Sequence, residues 1–479
     1  MITAPHPSPA VEATALAEKP STGIRAWSWK TALAVATGAV VAFHLAYAFP
    51  QLSCLIVVYL FCLYQLAALP TPRKAFYFGL VVGYAVYAPH LTFFWTIFGW
   101  PAIALWTVLA FWLGLFVALA RLCRRRFGRL AVLLVPFVWT GLEYFRSELY
   151  YLRFSWLSVG YAFSASPQIF SVTRLGVYGV SFALMALVTT LSLLPKVSAA
   201  FLLTACSVVI GCFANLSAPT ALTTDSGAVQ VAGLQLEFPA SLEVPPALDK
   251  LVAQHSNVQL LVLSEYTFDG PIPERVKAWC RTHKKHLIAG GKDFVSPTEY
   301  NNTAYVIGPD GNVVFSQVKS VPIQFFKDGR PATEQKLWES PWGKIGFCIC
   351  YDLSYRRVTD KLVRQGAQAI IVPTMDVADW GGYQHRLHAR IAPVRAAEFG
   401  VPIFRVCSSG ISQLISRSGH AIASAPYPGP GETISGRLVL SRAARLPLDH
   451  WLGPLSVLLT AAIILWLSGE ALLRRFSKP

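Results

Sequence analysis

Charged side chains are scarce in this chain. Lys, Arg, Asp and Glu make up 14% of its 479 residues, whereas an ordinary globular protein carries about 25%. Acidic residues are the rarer sign, with 25 against 41 basic ones, and 54% of the residues are hydrophobic. This composition excludes a disordered, collagen-like or coiled-coil chain. Nine cysteines in this length also exclude a small disulfide scaffold.

Several familiar motifs are also missing. The chain has no Walker sequence, no GxGxxG, no HExxH and no CxxC. These patterns are the usual signals for nucleotide, dinucleotide and zinc sites. We therefore expect an activity that uses no cofactor and no metal.

The charge deficit is uneven along the chain. Residues 225–449 carry 24 basic and 20 acidic side chains, while the other 254 residues carry 17 and 5. No charged residue occurs between Lys30 and Arg73, or between Lys74 and Arg121. A membrane-spanning helix needs ~20 apolar residues, so each gap holds two. We predict eight spans, near 31–49, 52–69, 75–98, 102–120, 130–145, 175–195, 198–217 and 451–469.

The basic residues indicate an orientation for these spans. Fourteen of them fall in the terminal segments and loops of one side, and three in the short loops of the other. Because positively charged loops stay in the cytoplasm, we expect both termini inside and the large soluble domain outside. The net charge of +16 is then mainly a topology signal, and nucleic acid is not expected as a partner.

The domain boundaries follow from these patterns. Residues 1–28 are rich in Pro, Ala, Ser and Thr and are predicted to form a disordered cytoplasmic tail. Seven helices occupy 29–222, a soluble catalytic domain 223–447, and the eighth helix with a basic tail 448–479.

The soluble part is predicted to be an α/β domain. Apolar runs bounded by turn residues indicate strands, and two longer segments indicate helices. Strands alternating with helices favour a layered α/β arrangement. The predicted strands are 229–234, 260–264, 305–307, 313–316, 344–349, 369–373 and 401–406, with helices at 353–365 and 383–399 and hairpins at 309–312 and 418–419.

Three residues of this domain carry chemistry. Glu265 ends an apolar strand, where poor solvation raises a carboxyl pKa toward that of a general base. Cys350 lies where a strand turns into a helix, and a helix N-terminus favours a thiolate. Lys319 follows a hairpin and can stabilise an oxyanion beside such a nucleophile. Each residue also has an ordinary explanation when it is considered alone. Glu265 could be a surface carboxylate, Cys350 a packed thiol and Lys319 a solvated side chain.

Taken together, Glu265, Lys319 and Cys350 resemble, in this order, the Glu-Lys-Cys triad of the nitrilase superfamily. The text at 376–381, 383–385, 395–398 and 408–412 resembles the segments that follow the nucleophile in that superfamily. The membrane half is similar to one branch, the apolipoprotein N-acyltransferases, at 139–146, 154–161 and 176–182. The resemblance runs from about residue 30 to the C-terminus.

The resemblance implies an eight-helix transmembrane bundle with a nitrilase-like αββα sandwich domain inserted between spans seven and eight. It implies that Cys350 takes a fatty acyl chain from a phospholipid as a thioester and passes it to the N-terminal amine of a diacylglyceryl-cysteine lipoprotein. Glu265 would be the general base, and Lys319 would hold the oxyanion. The setting would be the bacterial inner membrane, with the catalytic domain of a monomer on the periplasmic side. Tyr351 and Asp352 would support the site, and Asp352 stands where the family often has Glu.

The segment after Lys319 departs from the family pattern. Relatives usually follow their lysine with a spacer and Val-Pro-Phe-Gly-Glu, whereas here the text is 321–329, VPIQFFKDG. The supporting glutamate has no obvious match. Lys327 is therefore a rival for the lysine role.

Other residues are candidates for shaping the site. A thioester must be shielded from water, and Trp380, Phe325, Phe326 and Trp342 could provide the cover; ordinary loop packing explains them equally well. Glu143 and Arg146, one helical turn apart, could form a structural ion pair; otherwise Arg146 or Arg153 could contact a phospholipid head group. The lone histidines His44 and His90 are interpreted as packing residues.

Two other functions remain open at this stage. A membrane-tethered amidase or acyltransferase with another amine or amide substrate would need the same triad. A transporter or scaffold with a degenerate domain would not need Cys350 at all.

Overall fold

The computed structural model describes residues 28–195, 198, 227–442 and 444–476. The predicted tail at 1–28 and the predicted seventh span near 198–217 lie outside the described residues, apart from the single positions 28 and 198.

The N-terminal part consists of apolar helices. Ser28 and Thr71 cap two of them by accepting the backbone N–H of Thr31 and Lys74, each at 3.1 Å. Proline begins others, since its missing N–H is unneeded there. The helices are α1 (Trp29–Ala48), α2 (Ile56–Leu66), α3 (Pro72–His90), α4 (Phe93–Phe98), α5 (Pro101–Phe127), α6 (Ala131–Tyr144), α7 (Gln168–Thr173) and α8 (Val177–Leu191).

Helices α3 and α5 pack very closely. A Cβ atom on Gly79 would lie 2.9 Å from the Cα of Gly114, and one on Gly83 would lie 2.8 Å from the Cα of Ala110. Small residues at these crossings let the two backbones approach, as in other membrane bundles.

One predicted span differs in the structure. We predicted a single helix over 75–98, but the chain breaks between α3 and α4. Pro89 lies in the last turn of α3, where it removes a backbone hydrogen bond and crowds the preceding turn. The break directs the short α4 toward the catalytic domain.

The catalytic domain contains two mixed six-stranded sheets. The first has the order β12-β1-β2-β3-β4-β5 and the second β11-β10-β9-β8-β7-β6; β1–β2–β3 and β7–β8–β9 run parallel, and the other pairs are antiparallel. The strands are β1 (Ala228–Leu234), β2 (Leu260–Val262), β3 (His286–Phe294), β4 (Tyr300–Ile307), β5 (Val313–Val318), β6 (Leu337–Ser340), β7 (Gly343–Phe347), β8 (Ala369–Thr374), β9 (Ile403–Cys407), β10 (Ser412–Ile415), β11 (Ala421–Ala425) and β12 (Thr433–Val439).

Helices cover the outer faces of the two sheets. Leu248 and Trp279 belong to the core on the first sheet, and Leu362 and Val394 to the core on the second. These helices are α9 (Val244–Gln254), α10 (Glu274–His283), α11 (Arg356–Arg364), α12 (Gly382–Ala389) and α13 (Ile391–Phe399), and the chain closes with α14 (Asp449–Phe476). The predicted α/β layers are confirmed.

The predicted helix over 383–399 is two helices, α12 and α13, which meet at Arg390. Pro393 explains the break, because it has no N–H to donate to the carbonyl four residues earlier. The sequence interpretation also missed β3, β6, β12, α9 and α10.

Among the described residues, three helical segments are long and apolar enough to cross a membrane by length and composition: Trp29–Ala48, Pro101–Leu149 and Asp449–Arg474. Pro50–Leu66 and Val177–Leu191 are shorter apolar helices. The count of eight spans stays a prediction.

Buried charges join the helices to the catalytic domain. The Arg395 guanidinium pairs with Glu398 of its own helix and lies 3.8 Å from Glu148, just after α6. Glu398 in turn accepts the backbone N–H of Val177 at 3.0 Å, at the start of α8. Arg395 is 1% exposed. We call Arg395, Glu398 and Glu148 the interdomain clamp.

Arg395→Met should destabilise the protein strongly, because it leaves two buried carboxylates without their cation. Removing one partner of a buried ion pair typically costs about 3–5 kcal/mol. Arg474→Met is the matched control, since the Arg474 pair with Glu470 lies at the surface. Thermal unfolding in detergent should show a large drop for the first variant and a small one for the second. Equal decreases in unfolding temperature for the two variants would contradict the stabilising role of the interdomain clamp.

Candidate active site

The three predicted catalytic residues meet at one edge of the two sheets. Glu265 follows β2, Lys319 follows β5 and Cys350 follows β7, each within three residues of the strand end. All three are buried, at 1%, 0% and 3% exposure. The structure therefore brings together residues that are 85 positions apart in the sequence, from Glu265 to Cys350.

Glu265 is held on both carboxylate oxygens. Oε1 accepts from Lys319 Nζ at 2.8 Å and from Asn302 Nδ2 at 2.6 Å, and Oε2 accepts the Met375 N–H at 2.9 Å. Burial raises the pKa of Glu265, and the neighbouring Lys319 charge opposes the rise. A Cβ on Gly290 would lie 2.6 Å from the Glu265 Cα, so only glycine fits beside it.

Lys319 has a second carboxylate partner that the sequence interpretation missed. Its Nζ lies 2.7 Å from Asp328 Oδ2. Asp328 Oδ1 also accepts from Asn302 Nδ2 at 2.9 Å and from Tyr266 OH at 2.8 Å. Burial disfavours the ammonium, but Asp328 and Glu265 hold the pKa of Lys319 well above its ordinary value. The lysine is therefore a fixed cation.

Asp328 occupies the place of the supporting carboxylate that had no obvious match in the sequence. It is the one acidic residue between Lys319 and Glu334, and this was the available signal. Lys327, the rival lysine, is exposed. The geometry thus favours Lys319, because only Lys319 contacts Glu265.

Cys350 sits on a strained turn. Its φ is 51°, an unusual value for a residue with a side chain and one that often marks functional sites. Its Sγ lies 3.5 Å from the Met375 carbonyl oxygen. Burial and the Glu265 carboxylate raise the pKa of the thiol well above its usual value, against the lowering effect of Lys319.

We expected the N-terminus of a helix after Cys350 to favour the thiolate, but no α-helix begins at this position. The chain first forms a short 3₁₀ turn, Cys350–Ser354, and α11 begins only at Arg356. The resting thiol is therefore protonated, and its activation needs a base. Glu265 is the carboxylate placed to serve as one.

Asp352 and Tyr351 brace this turn. Asp352 Oδ1 accepts the N–H of Val321 at 2.6 Å, and Oδ2 accepts those of Ser320 at 3.0 Å and Ile349 at 3.1 Å. It thus ties the Cys350 turn to the Lys319 segment. Burial raises the pKa of Asp352 to about 6. Tyr351 OH donates to the Arg153 carbonyl at 3.2 Å, which links the turn to the helical part.

Cys350 forms part of the wall of an apolar cavity shared by both parts of the chain. Trp380, Phe325 and Phe326 line it, as the sequence suggested. The helical part contributes most of the remaining apolar wall, including Phe93, Phe94, Ile97, Phe98, Leu105 and Leu109.

Two aromatic contacts close the cavity across the domains. The Phe98 ring lies 6.0 Å from Phe325 and 5.7 Å from Phe326, and Phe326 lies 6.2 Å from Trp380. Trp342 was wrongly assigned to this cover. It packs against His286 at 5.1 Å and is not among the lining residues, because β6 and β7 carry it to the other end of the domain.

Glu143 and Arg146 support the segment that leads to the cavity. Glu143 Oε1 accepts the Val159 N–H at 2.8 Å, and Arg146 donates to the Phe154 carbonyl at 3.3 Å. Between these points lies Trp156, a lining residue. Both charged residues are buried, so we assign them a positioning role. Arg153, half-buried, lines the cavity itself.

His44 and His90 are not isolated residues. His44 Nδ1 lies 2.9 Å from His90 Nε2, and the other nitrogen of His90 contacts the Tyr383 hydroxyl. The pair therefore connects α1 and α3 to α12. In the part of the chain that the structure describes, no group of three or more His, Cys, Asp or Glu side chains is placed to hold a metal.

Comparison with known proteins agrees with this architecture. Residues 38–190 match the model of the apolipoprotein N-acyltransferase N-terminal domain, and residues 245–443 match that of carbon-nitrogen hydrolases. The apolipoprotein N-acyltransferase of Geobacter metallireducens is 28% identical over 418 residues, covering 73% of this chain and 78% of its own. That of Pasteurella multocida is 23% identical, covering 67% and 71%.

Among solved structures, a carbon-nitrogen hydrolase from Helicobacter pylori aligns with 45% of this chain and 90% of its own, at 17% identity and a TM-score of 0.39. The family matches and the relatives named above define an enzyme of the carbon-nitrogen hydrolase, or nitrilase, superfamily. Within it, the chain belongs to the apolipoprotein N-acyltransferase family, the membrane-bound branch. It is a membrane protein.

Lys319→Met should abolish activity, since it removes the cation shared by Glu265 and Asp328, and should also lower the unfolding temperature. Lys327→Met is the control and should retain activity within about twofold, because this side chain is exposed. The measurement is turnover by purified protein, with thermal unfolding in parallel. Full activity in Lys319→Met would exclude this lysine from the reaction.

Proposed function

We propose that this protein transfers a fatty acyl chain from a phospholipid to the N-terminal amine of diacylglyceryl-cysteine lipoproteins. The observation that carries the proposal is the position of Cys350, backed by Glu265 and Lys319, in the wall of an apolar cavity built from both domains. Such a cavity suits acyl chains, since apolar surface leaves water on binding.

The first half-reaction forms an acyl-enzyme. Glu265 takes the proton of Cys350, and the sulfur attacks the ester carbonyl carbon of the phospholipid. Lys319 and a backbone N–H stabilise the oxyanion. The carbon–oxygen bond then breaks, and Glu265 returns its proton to the leaving alkoxide. A lysophospholipid departs, and a thioester remains on Cys350.

The second half-reaction consumes the thioester. The amine nitrogen of the acceptor attacks the thioester carbon, the carbon–sulfur bond breaks, and Glu265 passes the amine proton to the sulfur. The product is an amide, and the enzyme returns to its resting state. Two substrates that use one site in turn give ping-pong kinetics.

The surroundings of Cys350 support this chemistry. The aromatic contacts of Phe98 with Phe325 and Phe326 limit the entry of water, which would otherwise hydrolyse the thioester. The half-buried Arg153 in the cavity wall is suited to a phospholipid phosphate. Tyr351 and Asp352 hold the nucleophile turn in place.

The remaining parts of the proposal concern placement. The charge pattern favours the bacterial inner membrane with both termini in the cytoplasm, which puts the catalytic domain on the periplasmic side. We propose a monomer that uses no cofactor and has no nucleic-acid partner. Its partners are the phospholipid donor and the diacylated lipoprotein acceptor.

A thioester on Cys350 is the direct test. Incubation of purified protein with phospholipid, without acceptor, should add one fatty acyl mass to a peptide containing Cys350, and dithiothreitol should remove it. Cys350→Ala should show no adduct, and Cys348→Ala, two residues earlier in the chain, is the control. The wild type should also restore triacylated lipoproteins in a bacterium depleted of its own enzyme. Lipoproteins that stay diacylated would contradict the proposal; an amidase would form no fatty-acyl adduct from phospholipid.

The pH dependence should report Glu265. A general base works only when deprotonated, so activity falls as the pH drops through its pKa. Because burial raises that pKa, the acid limb of kcat/KM should lie above about 4.3, the ordinary value.

Asn302→Leu should move this limb to still higher pH, because the Asn302 hydrogen bond favours the carboxylate. Asn301→Leu is the control, since Asn301 bonds to Asp293 near the surface. If the acid limb of kcat/KM lies at the same pH in the wild type and in both variants, Glu265 is not the group that causes it.

A further inference from the structure

A second polar cluster lies in the wall of the same cavity. Asp376 follows β8, and Gln384 and His388 lie one turn apart on α12; all three line the cavity together with Cys350. Arg405 of β9 contacts them. The mechanism proposed above uses none of these four side chains, although each of them is at most 2% exposed.

The cluster is organised around the Asp376 carboxylate. Oδ1 lies 2.8 Å from His388 Nδ1 and accepts from Gln384 Nε2 at 3.2 Å, while Oδ2 accepts from Arg405 at 2.6 Å. The ring of His388 also stacks on Trp156 at 4.6 Å. The hydrogen bond from Nε2 to Asp376 thus fixes the orientation of the Gln384 side chain.

One atom of the cluster has no partner. An ionised carboxylate can only accept hydrogen bonds, so the Gln384 amide must direct its NH₂ group to Asp376. Its carbonyl oxygen, Oε1, is then left over, and it is buried without a hydrogen bond among the described residues. Most buried polar atoms have a hydrogen-bond partner. Among the described residues, four other buried amide oxygens lack one, but Gln235, Asn302, Gln335 and Gln413 do not line this cavity.

The charges of the cluster indicate what binds. Burial opposes ionisation of Asp376, but His388 and Arg405 hold its pKa well below the usual range. Burial lowers the pKa of His388 to about 4. The cluster therefore pairs the negative charge of Asp376 with the positive charge of Arg405. It offers an acceptor atom without a net negative charge, which suits a neutral N–H donor better than an ammonium ion.

We propose that Gln384 Oε1 is the binding site for the acceptor amine. It accepts one N–H of the neutral primary amine and so turns the nitrogen lone pair toward the thioester carbon on Cys350. This inference rests on the proposed function and extends it by naming where the second substrate is held. The covalent changes are those already given: a carbon–nitrogen bond forms, the carbon–sulfur bond breaks, and the proton reaches the sulfur through Glu265.

Gln384→Met tests the assignment, because it keeps the length of the side chain and removes the acceptor oxygen. The full-length protein is studied in detergent–phospholipid micelles with a synthetic diacylglyceryl-cysteine peptide. Three rates are measured: acyl-enzyme formation without peptide, transfer to the peptide, and cleavage of the acyl-enzyme by dithiothreitol, a nucleophile without N–H groups. We expect transfer to fall at least tenfold, and the other two rates to stay within about twofold.

Gln365→Met is the matched control, since Gln365 bonds to the Gln335 carbonyl outside the cavity; all three of its rates should be unchanged. Gln384→Asn shortens the side chain by one methylene group. It should also slow transfer and leave the other two rates unchanged, and it replaces the Met variant if that variant does not fold.

Transfer at the wild-type rate in both Gln384 variants would overturn the inference, and so would an equal loss of all three rates, which indicates a structural role. A wild type that forms no acyl-enzyme would instead overturn the proposed function itself.

Discussion

The site depends on the buried Arg395. Besides pairing with Glu398 and approaching Glu148, its guanidinium donates to the carbonyls of Leu353 at 3.0 Å and Ser354 at 2.8 Å. These two carbonyls end the turn that begins at Cys350. A buried cation cannot be left unpaired, so the membrane helices and the catalytic domain are held in one arrangement, and the nucleophile turn is fixed by both.

The second constraint is the burial of the catalytic charges. Lys319 lies between two carboxylates, so the triad is charged and almost fully removed from water. Burial and the Glu265 carboxylate raise the pKa of the Cys350 thiol. The cavity wall beside Cys350 is mostly apolar and also includes Arg153, Asp376, Gln384 and His388. The same low exposure that raises the pKa of Glu265 thus shapes the substrate site.

Much of the site could be predicted from local sequence. Glu265 and Cys350 directly follow apolar strands, and this position alone marks them as candidates. Asp328 and Asn302 could not be assigned in the same way, because their role comes from a strand pairing that brings β4 beside Lys319. The helix breaks near Pro89 and Pro393 could not be predicted from proline alone, because Pro136 and Pro454 lie inside the unbroken helices α6 and α14. The prediction that Trp342 covers the site was wrong because an aromatic residue near a strand does not reveal at which end of the domain it lies.

The sequence by itself determined the apolar spans, the α/β alternation and the three residues at strand ends, because these depend on composition and on contacts over a few residues. Only the tertiary structure decided which lysine faces Glu265, that Asp328 completes the ion cluster, and that Gln384 lines the cavity with its carbonyl oxygen buried and unpartnered. It also showed that the wall around Cys350 comes from two domains. These features depend on groups far apart in the chain, whose distances are set by sheet pairing and by the burial of Arg395.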